Sequence, residues 1–385
     1  MSEDEKLLKK YKKAAQVIIK AGILPFPLTD TLIEIIKYII RPEDLDFILA
    51  FKRKLSQTME QLKKTSNMSE EEILEHVNYL AKNGVIFNQP SSSGVMVYRL
   101  LPLMMVGPFE YLLMRKIHHT EKEKRLAVLF KKLFDEAKDL IHDKYEMFIP
   151  VFKNLPPIDR TVPATSEPAS GKEIQVIVDQ DVEVPEEQVL PAQKVEEIIE
   201  KFEDIAVGHC FCRQHKDLLG EPCQVTDLRE NCFTFGKSAR FCVEQGFQRS
   251  ISKEEALKLM RQSEEDGLVH KAFHPHSDIF KDETSVCNCC VDCCATFELW
   301  KEGVLPLINS TFHLAEVDQE LCIGCGTCTE KCTVEAIVLN DNDKAEVNMD
   351  LCIGCGLCAH FCPQGAIILK EGMRKVYVPP IRENT

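Results

Sequence analysis

Cys322-Ile323-Gly324-Cys325-Gly326-Thr327-Cys328, followed by Cys332, returns thirty residues later as Cys352-Ile353-Gly354-Cys355-Gly356-Leu357-Cys358, followed by Cys362. Both runs have the spacing C-x2-C-x2-C-x3-C. The likeness extends past the thiols, because Leu321 to Leu339 aligns with Leu351 to Leu369 through shared Leu, Cys-Ile-Gly-Cys-Gly, Ala-Ile and Leu, the mark of an internal duplication. Thiols at three-residue steps let one tight loop wrap a metal centre, and Gly324, Gly326, Gly354 and Gly356 let the backbone come close to it. Sites of four cysteines also bind zinc, but duplicated three-residue steps with a more distant fourth thiol suit a polynuclear cluster better.

On these residues the segment resembles the bacterial-type ferredoxins that hold two 4Fe-4S clusters. In that family the last cysteine of each run binds the other run's cluster. The resemblance therefore implies one cluster on Cys322, Cys325, Cys328 and Cys362, and a second on Cys352, Cys355, Cys358 and Cys332. Pro363 matches the family's residue after the last ligand, whereas Thr333 stands where the first run usually has proline. That departure alters the donors near one cluster and hence its potential, without removing a ligand. Ala336–Leu339 and Ala366–Leu369 are expected as strands, pairing with Glu316-Val317-Asp318 and Glu346-Val347-Asn348 in a two-hairpin arrangement. Neither run includes a residue poised as acid or base, so the module carries electrons and makes no bond.

Working outward, 385 residues exceed what a single core of about 250–300 residues supports, and 44% apolar with 28% charged residues fits ordinary folded protein. Eighteen cysteines are the outlier. No secretory leader pattern precedes them, since Met1 to Lys13 reads as an amphipathic helix, and a cytoplasmic chain rich in thiols points to metal ligands more than to disulfides. Leu100 to Met114, the most apolar stretch, is broken by Pro102, Gly107, Pro108 and Glu110, so no membrane span is expected. The net charge of −14 is uneven: residues 1–150 carry 24 Lys+Arg against 21 Asp+Glu and no cysteine, while 151–385 carry 23 against 40 and every cysteine. An acidic, thiol-rich half argues against nucleic acid as a partner there and favours redox proteins with basic patches.

The expected fold class is multidomain α+β. Residues 1–150 read as a helical, winged-helix-like domain, 151–190 as a linker rich in proline and serine near Asn154–Gly171, 191–312 as a cysteine-rich α+β module, and 313–385 as the dicluster ferredoxin-like domain. The winged-helix likeness covers about 30–101: a helix opened by the capping box Ser69-Glu70-Glu71-Glu72 and stopped at Gly84, then a hairpin from Val85–Phe87 to Val95–Leu101. A DNA-reading second helix would present Glu71, Glu75, Asn78 and Lys82, and the wing adds only Arg99, so a docking scaffold is the better expectation. A long helical stretch from Phe109 to Phe148 carries Leu126, Leu129, Phe130, Leu133, Phe134, Ala137 and Ile141 on one side, a face suited to a homodimer.

The middle module holds Cys210, Cys212, Cys223, Cys232 and Cys242, then Cys287, Cys289, Cys290, Cys293 and Cys294, with a capped helix from Ser252 to Asp266 between. No common ferredoxin run fits this spacing. Its candidate metal ligands are Cys210, Cys212, Cys223, Cys232, Cys287, Cys289, Cys290 and Cys293, for a further iron–sulfur cluster or a zinc. The adjacent pairs Cys289-Cys290 and Cys293-Cys294 do not easily all face one metal. The economical function is an electron-transfer protein relaying electrons between redox partner proteins, in a host living without oxygen. The alternatives are a reductase using the middle site and a redox-sensing winged-helix regulator; no catalytic residue is assigned.

Overall fold

The computed structural model describes residues 2–22, 27–178 and 193–381, so part of the expected linker, 179–190, lies outside the described residues. The chain forms two compact units, the first from Met1–Leu140, Phe211–Pro222 and Lys237–Arg249, the second from Ile141–Cys210, Cys223–Gly236 and Ser250–Thr385. Two pieces of the cysteine-rich segment thus belong to the first unit. The architecture is mixed helix and sheet. No helix of the described residues is long and apolar enough to cross a membrane.

In the first unit, amphipathic helices at Glu3–Ile19 and Asp30–Ile39 bury Tyr11, Ala14, Ile18, Leu32, Ile35 and Ile36. The helix Glu70–Lys82 starts where the sequence places it: Ser69 accepts from the Glu72 amide while the Glu72 carboxylate accepts from the Ser69 amide. It buries Ile73, Val77 and Leu80 and leaves Glu71, Glu75, Asn78 and Lys82 exposed. Strands β1 (Ser56–Gln57), β2 (Ile86–Pro90) and β3 (Met96–Leu100) form an antiparallel sheet in the order β1-β3-β2, with Ile86 opposite Leu100 and Pro90 opposite Met96. The stretch expected as one long helix is instead three, Pro108–Met114, Glu121–Asp143 and Tyr145–Lys153. The first break has a local cause: Thr120 and Glu123 cap each other's amides, 2.8 Å and 3.3 Å, which starts a new helix at Glu121. Phe109 anchors this core edge-on against Phe130, Phe134 and Phe211.

Glu110 makes this unit sensitive to pH. Met105 and Val106 take left-handed backbone conformations, φ 63° and 74°, that side-chain-bearing residues rarely adopt. The buried Glu110 carboxylate holds that turn by accepting from the amides of Met105 and Gly107, at 2.8 Å and 2.9 Å. Burial outweighs these bonds and pushes the carboxyl up to about 7. A raised carboxyl favours the folded state below the ordinary carboxylate range, and the advantage is lost as pH rises through 7, about 3 kcal/mol in all. Glu110→Gln should flatten this decline when urea unfolding is compared at pH 5 and pH 8; an unchanged slope would show that another group carries it.

The second unit is built on one long sheet. Its strands are β4 (Asp159–Val162), β5 (Val176–Val178), β6 (Ile205–His209), β7 (Glu230–Phe235), β8 (Arg249–Ser250), β9 (Val269–Phe273), β10 (Ser285–Cys289), β11 (Leu307–Val317) and β14 (Ile367–Val378), in the order β5-β14-β11-β4-β9-β10-β7-β6-β8. A separate hairpin joins β12 (Ile337–Leu339) to β13 (Ala345–Val347). One face of the sheet, with Val162, Val207, Phe233, Ala272 and Val286, packs on helices Val195–Lys201 and Lys253–Glu265. The opposite side contributes Val269, Cys289 and Leu314 to a core that also holds Cys294, Phe297, Trp300 and thiols of both C-terminal runs.

Two boundaries read from composition differ here. Asp159–Val162, inside the expected linker, is a buried strand between β11 and β9, because its own residues alternate into both faces although prolines flank it. And β11 continues through residue 312, with a register shift between Thr311 and His313, pairing with β14 from Leu307↔Val378 to Val317↔Ile367. The strands expected at 316–318 and 366–369 are the ends of this longer ladder.

Candidate metal centres

Each C-terminal run leaves a strand, loops back over itself and enters a four-residue helix, Thr327–Glu330 or Leu357–His360. Gly326 and Gly356 stand before these helices at φ 79° and 72°, where glycine is the unstrained choice. Gly324 and Gly354 are needed for room: a Cβ there would collide with the carbonyl oxygens of Asp343 and His313. The duplication appears in the bonding as well. The amide of Ala336 donates to Cys332 Sγ at 3.2 Å and that of Ala366 to Cys362 Sγ at 3.3 Å, with Ala345 donating to Cys322 Sγ at 3.4 Å.

The thiols fall into two groups. Cys322, Cys325, Cys328 and Cys362 line one hollow with Val317, Leu339 and Ile367. Burial, with Cys322, Cys325 and Cys362 adding to it, pushes the Cys328 thiol up to about 11. Burial likewise raises Cys352, Cys355 to about 12, and Cys358, and in each the neighbouring charge of Cys332 contributes. The structure thus brings Cys362 to the first run and Cys332 to the second. Buried thiols crowded in this way are too costly to ionise unless a cation sits among them, so the donor set fits an iron–sulfur group. Thr333 is buried, and its hydroxyl has no hydrogen-bond partner.

In the middle segment, Cys223, Cys290 and Cys293 have their sulfurs within 4.8 Å of one another, all three residues buried. Cys223 Sγ lies 3.6 Å from Cys290 Sγ. Hydrogen bonding from Cys293, followed by the Asp292 amide, outweighs burial and lowers the Cys290 thiol to about 6. The turn is tied to the Cys223 segment by Gln224, whose amide donates to Asp292 at 2.9 Å.

A second set occupies the sheet. Cys287 contacts Cys232 and feels Cys210 and Cys294, while Cys289 contacts Cys294; these contacts and burial raise the Cys287 and Cys289 thiols well above the ordinary thiol range. Cys212 and Cys242 are buried on helices Phe211–Leu219 and Gly236–Glu244, within the stretches assigned to the first unit. Cys294 was not among the residues expected from sequence, and neither were Lys271 and Asp159, which form a buried pair at 3.0 Å beside Cys289 and Cys294. Alternation along β10 is the signal that could have found Cys294: two adjacent cysteines at a strand end face opposite ways, so each needs its own partner.

Among known proteins, residues 315–369 match the family model of the 4Fe-4S dicluster domain. No curated protein and no solved structure matches the chain. Residues 315–369 are therefore a 4Fe-4S dicluster module, and such a module indicates iron–sulfur electron transfer.

Proposed function

We propose that the chain relays single electrons between redox partner proteins through two clusters held by its C-terminal runs, with a further metal centre in the middle segment. The observation that carries this reading is the match over 315–369 together with the two crossed thiol groups. Cys322, Cys325, Cys328 and Cys362 are the ligands of one cluster, and Cys352, Cys355, Cys358 and Cys332 those of the other. Bound there, the clusters supply reversible one-electron chemistry. The protein's part is to exclude water and to set the potential through the amides of Ala336, Ala345 and Ala366, which donate to ligand sulfurs. Thr333 tunes the second cluster, where a proline would present no hydroxyl. The helices and three-stranded sheet of the first unit serve as a winged-helix-like docking scaffold, since the helix that would read DNA exposes Glu71 and Glu75.

Electrons pass at the Cys325 side, because Cys325 and Ile323 are exposed and Asp318, Glu320 and Glu330 are exposed around them. An acidic rim of this kind selects a basic partner. The test is stopped-flow transfer, without oxygen, from the dithionite-reduced protein to a basic one-electron acceptor such as a c-type cytochrome. Transfer should be fast and should slow as salt rises. Absence of transfer to any protein acceptor, with turnover of a small substrate by reduced dye, would replace the relay with a reductase.

A further inference from the structure

The sheet of the second unit lines up one row of residues across six strands. Thr311 on β11 pairs with Thr161 on β4, Thr161 with Lys271 on β9, Lys271 with Cys287 on β10, Cys287 with Cys232 on β7, and Cys232 with Gly208 on β6. Residues directly opposite one another share a face, so Lys271, Cys287 and Cys232 point to one side. Cys289, two residues beyond Cys287, points the same way and meets Cys294 at the start of helix Ala295–Lys301. Cys210 follows β6 directly and acts on Cys287.

The four cysteines of the crowded turn therefore separate in a nested way. The outer two, Cys289 and Cys294, belong to the sheet face, while the inner two, Cys290 and Cys293, turn to Cys223. This resolves the difficulty of adjacent pairs facing one metal.

The two sets also differ in size. Thiolates around a tetrahedral zinc lie about 3.8 Å apart, given zinc–sulfur bonds of about 2.3 Å. The Cys223–Cys290 separation of 3.6 Å, in a triad that fits within 4.8 Å, matches this spacing. Among the described residues that triad is the group of three or more potential ligands gathered so tightly. The sheet-face thiols are not, and neither are the thiols of the dicluster module, where each thiolate takes a different corner of a cluster. The sheet face also carries a fixed cation. Lys271 is buried, paired with Asp159 at 3.0 Å and 5.0 Å from the centre of the Phe297 ring. On the same row the Thr161 hydroxyl is buried without a partner, a donor with nothing yet to receive it. The Lys271 ammonium, though balanced by Asp159, faces Cys289 and Cys294, and with the spare hydroxyl it offers donors suited to a cluster's sulfide acceptors.

We propose that the middle segment holds two centres of different kind: an iron–sulfur cluster on the sheet face, drawn from Cys210, Cys232, Cys287, Cys289 and Cys294 beside Lys271, and a single zinc ion on Cys223, Cys290 and Cys293. This deepens the reading of a further metal centre given above and rests on it. Cys287 and Cys289 pack in the same core as the dicluster thiols, which places the cluster where a relay would use it, whereas the triad lies in a separate buried group with Leu268.

The experiment is metal and sulfide analysis of the full chain prepared without oxygen. In Cys287→Ala/Cys289→Ala, iron and acid-labile sulfide should fall together while zinc stays. In Cys290→Ser/Cys293→Ser, zinc should be lost while iron and sulfide stay. Depletion of the same metal by both pairs, or of none by either, would overturn the proposal. If either variant fails to fold, X-ray absorption at the zinc edge of the unaltered protein decides: zinc in a sulfur shell at about 2.3 Å supports the triad site, and absence of zinc overturns it. The paramagnetic signals of the dicluster module, read in the same samples and removed by Cys322→Ala with Cys352→Ala, report the relay reading separately.

Discussion

Cys358→Ala is expected to cut the iron and sulfide of the dicluster module by about half. Cys358 lies on the buried side, raised well above the ordinary thiol range by burial and by the charges of Cys355, Cys352 and Cys332. Its thiolate is tenable only with iron beside it, and metal binding at such a site is itself folding free energy. The variant should therefore melt at a lower temperature as well. Cys332→Ala should strip the same centre despite lying in the other run, and Cys362→Ala should strip the other one. Counting iron and following the two reduced-state paramagnetic signals checks all three. If Cys332→Ala instead removed the signal lost in Cys322→Ala, the crossed arrangement would be wrong.

Glu283→Gln should cost about 3–5 kcal/mol, because breaking one side of a buried ion pair leaves the other charge without compensation. Arg160 Nη2 lies 2.8 Å from Glu283 Oε1, with both side chains essentially inaccessible at 1% and 0%. Burial lowers the Arg160 guanidinium from its ordinary value and Glu283 pulls it back, so the pair stands or falls together. Lys201, 3.2 Å from the same carboxylate, adds a second cation, but its side chain reaches solvent, so the cost falls on Arg160. The expected fall in melting temperature is on the order of 10 °C. Breaking the exposed Glu316–Lys370 pair by Lys370→Ala should cost at most about 1 kcal/mol and serves as the control. A loss of similar size in both variants would show that burial is not what gives the Arg160 pair its weight.

The C-terminal site was legible in the sequence because its information is local. Seven consecutive residues set the loop, glycines mark where no Cβ fits, and the duplication repeats the lesson at 352–362. The capped helices at Ser69 and Ser252 were legible for the same reason. The middle site was not. Its grouping depends on register between β9, β10, β7 and β6, strands whose order no short motif encodes. Which neighbour Cys287 faces follows from pairing with Cys232, more than fifty residues away in sequence. The prolines around 156–168 suggested a linker because composition reports average flexibility, while four residues at 159–162 suffice for a buried strand. The long helix differs for another reason: Arg115–Thr120 holds neither glycine nor proline to mark a stop, and only the Thr120–Glu123 cap shows the break.

The position of β4 between β11 and β9 has a consequence for the order of events as the chain is made. β9 follows this strand by about a hundred residues and β11 by about a hundred and fifty, while β14, which pairs with β11, follows later still. At about 5–20 residues per second, the ribosome takes roughly 5–20 s from β9 to β14. Through that interval the thiols at 210–294 have left the ribosome without the finished sheet behind them. The centres proposed for the middle segment would then be loaded only once β14 has been made, in competition with thiol oxidation, so starving growing cells of iron should harm newly made chains far more than chains already folded.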